Sequence, residues 1–563
     1  MRRLNWVAPL ALGMLVCVQA SATEKTQTPP PELAAYIAAA RKADAIADPL
    51  QRCLAYPDLP GSTWTPGVAK ARCVMFNTPP IFTLDSLEAA LAEPDGAKAV
   101  DAKFAALLDA HYTVPEQREQ IFIGLRIFKS LDRDRAERIA RAWLAASPDS
   151  AFAQTALGHV LVARGLDARG TKYARETPAE DMRTMGKFFG DAGQHYATAL
   201  KANTKLLPAC VGLMVIGRYS DDVVQNTATK WCIDADPASY HVVDELMNAA
   251  ETRWGGSDEQ MRAIAAYAQA RTEQDPVLAV FAFHHAYYDI ERDSDDGDAR
   301  ALAVLEPAAL QVPNAAYIRR VGDVYVNKKD WWKAFAWKSQ AVRFAPEYDD
   351  EWRLRGYVQY RLGDSAGARS DVEHALALDA NNLRAHGVLG DVLRNTGHPA
   401  DARQHYARAM DVPSLRKRAF IANCASAIEA KQEKEAPACV DRLLAEYPDN
   451  GEAWRLRLTM IGPDSPQSDE AMRRFLATQD PEQWPAHKEV AERVRKLLAA
   501  KDGTASADEM FEVRVMRAGR LERSKEGRDF FSTFLPATNA AFNDVMTACF
   551  APRCRTTRTA SPP

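Results

Sequence analysis

The 563-residue sequence carries few of the short signatures that usually mark an enzyme. It has no Walker-type phosphate loop, no His-Glu-x-x-His pair and no dinucleotide-binding glycine fingerprint, and its one Gly-x-Ser-x-Gly string, Gly363-Asp364-Ser365-Ala366-Gly367, falls inside a run of helical periodicity. Each of those motifs fixes a nucleophile, a phosphate or a metal by local backbone geometry. Their absence disfavours such chemistry and leaves only catalysis by residues distant in sequence. No Cys-x-x-Cys occurs, so thiol–disulfide exchange has little support. No charge of one sign dominates either: the formal net charge is −4, with acids and bases interspersed. Nothing resembles a nucleic-acid tract or a polybasic membrane patch. Beyond the N-terminus no segment of eighteen uncharged apolar residues occurs, so stable membrane insertion is not expected and the mature chain should be soluble.

What is present begins with export. Arg2 and Arg3 precede an apolar stretch at 6–18, and Ala20-Ser21-Ala22 offers a small-x-small cleavage site. Residues 1–22 therefore read as a signal peptide cleaved near Ala22, which places the mature chain in a bacterial periplasm or outside the cell. Cys17 does not read as a lipidation site, because Met14-Leu15-Val16 lacks the small residue wanted before it. Eight cysteines remain: Cys53, Cys73, Cys210, Cys232, Cys424, Cys439, Cys549 and Cys554. An even number in an exported chain permits disulfides, and the intervals favour four local pairs in chain order, although sequence alone leaves connectivity open.

Residues 23–82 read as a leader: a helix over 31–47, then a Pro/Gly-rich loop bracketed by Cys53 and Cys73. From Leu84 onward Ala, Leu, Arg and Glu dominate and apolar residues return at steps of three and four, as Leu84, Leu87 and Leu91 illustrate. The expected fold is all-α. From residue 315 a longer period appears. In 34-residue windows starting at 315, 349, 383 and 417, the eighth positions are Gly322, Gly356, Gly390 and Cys424. The twentieth are Ala334, Ala368, Ala402 and Ala436; the twenty-seventh are Ala341, Ala375, Ala409 and Leu443. Pro346 and Pro448 stand at the thirty-second position, bulky residues recur at the fourth, and Trp454 restarts the pattern.

This pattern resembles the tetratricopeptide repeat family. The resemblance implies a superhelix of helical hairpins over 315–484. Small residues at positions 8 and 20 let the two helices of a hairpin approach, and proline at 32 ends the second. Cys424 and Cys439 occupy positions 8 and 23, on the two helices of one hairpin. A bridge could replace the usual small-residue contact there, provided the Cα atoms lie within about 7 Å. First helices of such repeats line a concave surface, which would take a protein or peptide partner and needs no cofactor or metal. Trp331, Trp332, Trp352, Arg353, Arg355 and Arg384 are the candidate groove residues, the dense Trp331-Trp332/Phe335/Trp337 cluster supplying anchors. The plainer reading is core aromatics and solubilising arginines.

The N-terminal half is more divergent. Ala136, Trp143, Pro148 and Leu157-Gly158 echo a repeat, interrupted by an insertion over 169–187. Arg169-Gly170, Phe188, Ala192 and the string from Arg253 to Met261 resemble a bacterial domain family of unknown function, over roughly 83–275. That resemblance supplies a label and no mechanism. Trp254, Gly255, Gly256 and Ser257 read best as a structural turn: the glycines permit unusual φ, Ser257 caps the next helix and Gln260 sits at the capping-box position. Asp258 and Glu259 would repel an anion there. His284-His285 with Asp289 offers one histidine and one carboxylate on a shared face, too few for a metal, and Phe281, His284 and Tyr288 read as an aromatic stripe. The acidic run 291–298 fails as a calcium loop because Val304 stands where a glutamate is required.

The expected organisation is a divergent helical domain over 83–290, an acidic linker and connecting helix over 291–314, and repeats over 315–484. A cap over 485–554, with a short strand or extended arm at 511–515, and a disordered tail over 555–563 complete it. The expected role is an exported scaffold or adaptor, against an enzyme or small-ligand/carbohydrate-binding domain in 83–300.

Overall fold

The computed structural model describes residues 28–513 apart from 173, 221, 293–296, 463 and 511. The signal segment, the Cys549 and Cys554 pair and the tail 555–563 lie outside the described residues. Among the described residues all regular structure is helical and no strand occurs. No described helix is long and apolar enough to cross a membrane.

Two compact units form, residues 29–347 and the described residues from Tyr348 onward. In the second unit, hairpins follow the sequence period. Asp349–Arg361 pairs with Ser365–Leu378, Leu383–Asn395 with Pro399–Ala409, Pro413–Glu429 with Glu435–Glu446, and Gly451–Ile461 with Ser468–Thr478. The turns are written into the windows. Asp364 accepts from Gly367 N at 3.0 Å, and Asn382 and Asn450 accept from Ala385 N and Ala453 N, so side chains cap successive helices. Each such cap is worth about 1 kcal/mol. The alanines at position 20 are buried, and a Cβ on Gly390 would lie 2.8 Å from the Tyr406 ring. Close approach of this pair of helices therefore requires glycine at 390. Where Cys424 replaces it, a disulfide to Cys439 crosses the same hairpin, with Cα atoms 5.4 Å apart.

Two bidentate arginine–carboxylate pairs fasten the hairpins. Arg394 meets Glu429 at 2.8 and 2.7 Å and ties neighbouring hairpins together, while Arg416 meets Glu446 at 2.8 and 3.2 Å within the hairpin of Pro413–Glu429 and Glu435–Glu446. Helix Ala486–Lys501 follows, with Ala491, Val494, Leu497 and Leu498 buried against Met472 and Phe475. The chain then differs from the extended arm expected at 511–515. Residues 507–510 and 512–513 are helical, because Ser506 and Glu509 cap each other reciprocally: Glu509 N donates to Ser506 Oγ and Ser506 N to Glu509 Oε2.

The first unit contains the window at 315 as well as the described residues from Pro29 up to it. The expected linker is packed: Ala301, Leu305, Ala308 and Ala309 are buried, and Arg320 holds both Glu291 and Asp298. Helices Pro31–Asp44, Pro49–Ala55 and Val68–Asn77 pack on Trp331–Phe344. Tyr36 donates to Ala336 O at 3.0 Å, Arg343 Nε to Cys53 O at 3.0 Å, and Asn77 to Arg343 O at 3.1 Å. Cys53–Cys73 bridges the second and third of those helices, and Cys210–Cys232 bridges Leu207–Ser220 to Asp222–Ala235. The insertion lengthens a hairpin, giving helices of 19 and 24 residues, Ala151–Arg169 and Ala179–Ala202.

Candidate functional site

The sequence-derived groove residues separate into groups. Trp332 is buried at 9% exposure, edge-on to Phe335, and Trp337 is buried too; Trp331 is half-buried. The leader helices cover this helix, so Trp332 is core rather than an open anchor. Trp352 is also buried, beside the His374 ring. Arg355 is 2% exposed and gives two 2.7 Å hydrogen bonds to Asp371, which also accepts from Gln359. It is an interior ion pair, because Asp371 at position 23 faces the same turn of the first helix that carries Cys424 in a later window. Arg353 pairs with Asp350 at 2.7 Å, and Arg384 is exposed.

What the first helices do present is a patch that the sequence reading passed over. Arg418 Nη2 lies 2.6 Å from Asp391, which also accepts from Tyr406 at 2.9 Å. The Arg418 side chain is 61% exposed, yet Tyr357, Tyr360 and Tyr406 all lie close enough to act on its charge. Tyr357, Tyr360, Asp391 and Arg418 come from three successive first helices. Positions 2, 9 and 12 of the windows were the available signal.

In the first unit, Trp254 ends a short turn whose Gly255 has φ 89°. The indole packs edge-on against Tyr219 at 4.6 Å with the Arg218 guanidinium 4.7 Å from its centre. A Cβ on Gly256 would lie 2.1 Å from Ala250 O, so that position too requires glycine. Ser257 accepts from Gln260 N at 3.2 Å and starts helix Asp258–Gln269. This corner is closed. His284 and Tyr288 make polar contacts rather than an aromatic stripe: His284 Nε2 lies 3.2 Å from Glu251, and Tyr288 OH accepts from Arg253 N at 3.0 Å.

The most concentrated chemistry is a buried cluster of His111, Glu119 and Asp236, none of which the sequence singled out. Their ligand-type atoms lie within 4.8 Å of one another, the spacing a metal would use. The donors argue for a closed network instead. His111 Nδ1 accepts from Glu119 N at 3.0 Å, so Nε2 carries the proton and donates to Asp236 at 3.0 Å. Arg118 donates to the same Asp236 oxygen at 2.6 Å, and Ala238 N serves the other. Glu119 takes His241, Ser239 and Tyr240 N at 2.6, 3.2 and 3.0 Å. Glu119 itself has φ 66°, a left-handed conformation that turns its N–H toward His111. Burial works against both carboxylates, but these partners hold their pKa values below the usual range. Neighbouring Asp275 is the exception. Burial and the Glu119 charge push it up to about 7.

No family model matches the chain, and no curated protein matches it. Distant, partial likeness is found to solved helical-repeat structures. The P58(IPK) TPR domain is 14% identical, with 70% of this chain and 99% of that chain covered and a TM-score of 0.20. The APC/C hetero-tetramer Cut9–Hcn1 is 11% identical, with 74% and 96% covered and a TM-score of 0.25. The structure of Naa15/Naa10 bound to HypK-THB is 15% identical, with 81% and 77% covered and a TM-score of 0.21.

Proposed function

We propose that this chain is an exported scaffold that holds another polypeptide against the first helices of its second-unit hairpins. The observation that carries the reading is the Arg418–Asp391 pair set among Tyr357 and Tyr360. Three consecutive hairpins contribute to one aromatic and charged surface that remains wet. Tyrosines give large, low-entropy contact area, and the half-satisfied charges fix register on a preformed groove. Arg384, exposed on Leu383–Asn395, extends the cationic side of that surface. Export is supported by the basic, apolar and small-residue order of residues 1–22 and by three cysteine pairs that each close a helical hairpin.

Site-specific photo-crosslinking in the native envelope tests this. A crosslinker at Tyr357 or Arg418 should capture a discrete polypeptide, and one at Arg369, which lies exposed on a second helix, should not. Equal capture from all three positions, or capture only from 83–275, overturns the groove.

A further inference from the structure

Three buried carboxylates, Glu119, Asp236 and Asp275, share the interior of the first unit with one guanidinium, Arg118. His111 is neutral, and His241 serves Glu119. Glu119 and Asp236 have hydrogen-bond donors on both oxygens, whereas Asp275 has one on Oδ1 only. Its Oδ1 accepts from Val277 N at 3.1 Å, but Oδ2 accepts no hydrogen bond. Arg118 Nε stands 3.5 Å from that oxygen, an ion-pair distance, and has no acceptor of its own. Asp275 is 4% exposed. A buried carboxylate oxygen without a donor is costly, by about 1–3 kcal/mol or more. Burial and the neighbouring Glu119 charge raise its pKa despite Arg118.

Asp275 and Arg118 form the polar part of the wall of a cleft of about 200 Å³. Ala71, Val74, Met75, Pro115 and Pro276 make the rest of the wall apolar. At the exposed rim Lys70 and Glu116 stand 4.0 Å apart and offset each other. The cleft therefore combines hydrocarbon walls with a single unsatisfied acceptor in an anion-rich interior. An anion would meet Asp275 directly, and an alcohol would bring a donor without the charge.

We propose that this cleft binds a small primary amine on an apolar stem, the ammonium donating to Asp275 Oδ2 and the stem lying against Val74, Met75, Pro115 and Pro276. The same chemistry is offered by a free alkylamine and by a lysine side chain. The site is independent of the groove in the second unit, so either reading can fail alone.

The test is titration of the full mature protein near neutral pH with butylammonium chloride, followed by thermal unfolding and by NMR shifts of methyl-labelled Met75 and Val74. Sodium chloride at equal ionic strength and butanol serve as controls. Butylammonium should give saturable stabilisation and saturable shifts; the controls should not. Asp275→Asn, which keeps the shape and removes the charge, should weaken binding about tenfold or more, the scale of one charge-assisted hydrogen bond. Ala71→Leu should fill the cleft and abolish binding with Asp275 intact, which covers the case of an Asp275 variant that fails to fold. Nα-acetyl-lysine amide assigns the source: tighter binding than butylammonium identifies a lysyl ligand, weaker binding a free amine. Equal responses to butylammonium and butanol, or affinity unchanged in folded Asp275→Asn, overturns the proposal.

Discussion

Replacing Arg355 by methionine should destabilise its hairpin by about 3–5 kcal/mol, the usual cost of leaving one member of a buried ion pair uncompensated. The structure sets the magnitude. Asp371 would lose both 2.7 Å hydrogen bonds and keep only the Gln359 amide among the donors named above, in a place where it is 4% exposed. The guanidinium also lies 5.0 Å from the centre of the Trp352 ring, so some packing is lost with it. Removing both charges, as Arg355→Met with Asp371→Leu, should recover most of the loss, because no stranded charge remains. Hydrogen exchange of peptides covering 349–378 reads the local opening free energy directly, without assuming that the whole chain unfolds in one step. The folded double variant should capture the same crosslinked polypeptide from Tyr357 as the natural sequence does. If each single change costs less than about 1 kcal/mol and the double change recovers nothing, the pair is not the buried link described here. If the folded double variant loses the partner, Arg355 belongs to the groove after all.

Reducing Cys424–Cys439 should cost about 3 kcal/mol, the loop-closure value for a sequence separation of 15. A Cys424→Gly, Cys439→Ala variant should still fold, since Gly356 and Gly390 occupy the same position in the sibling windows; circular dichroism and calorimetry check both. Glu452 is buried, and although burial opposes its charge, Arg455 and His487 lower its pKa from 4.5 to about 2. A lowered carboxylate stabilises fully above its unfolded value and loses that contribution as pH falls through its folded value. At about 1.4 kcal/mol per pH unit, stability should therefore drop by about 3 kcal/mol between pH 4.5 and 2. Acid titrations of unfolding should show that slope flattened in Glu452→Gln. Gly390→Ala pushes a Cβ to within 2.8 Å of Tyr406 and should cost about 1–3 kcal/mol by urea denaturation, with helix content retained.

The helical-hairpin architecture was legible because small residues recur at fixed positions, and a period of 34 survives whatever each side chain does on its own. The hairpin disulfides were legible for a related reason: their partners are near in sequence. What could not be read was set by distance along the chain. Trp332 and Trp337 look like surplus rings, yet they are buried on a helix that residues 31–77 pack against, and nothing local announces that contact. Arg355 looks solvated because its partner lies sixteen residues on. Here a signal existed: Asp371 stands at position 23, where Cys439 stands in the window that carries the bridge. The cluster at Asp236 had none. His111 and Asp236 are 125 residues apart, and Glu119 depends on a backbone conformation that few non-glycine residues adopt.

The docking of the leader on Trp331–Phe344 bears on the order of events during synthesis. Tyr36 and Ala336, which share a hydrogen bond, are 300 residues apart. At about 5–20 residues per second, the leader waits roughly 15–60 s for the helix it will cover. In that interval it can meet only partners made earlier, such as Gln120, whose side chain donates to Val74 O at 3.0 Å. The first unit thus closes from its two ends, with its earliest segment among the last to find its place. A nascent chain cut before residue 331 lacks the surface on which its own beginning is meant to rest.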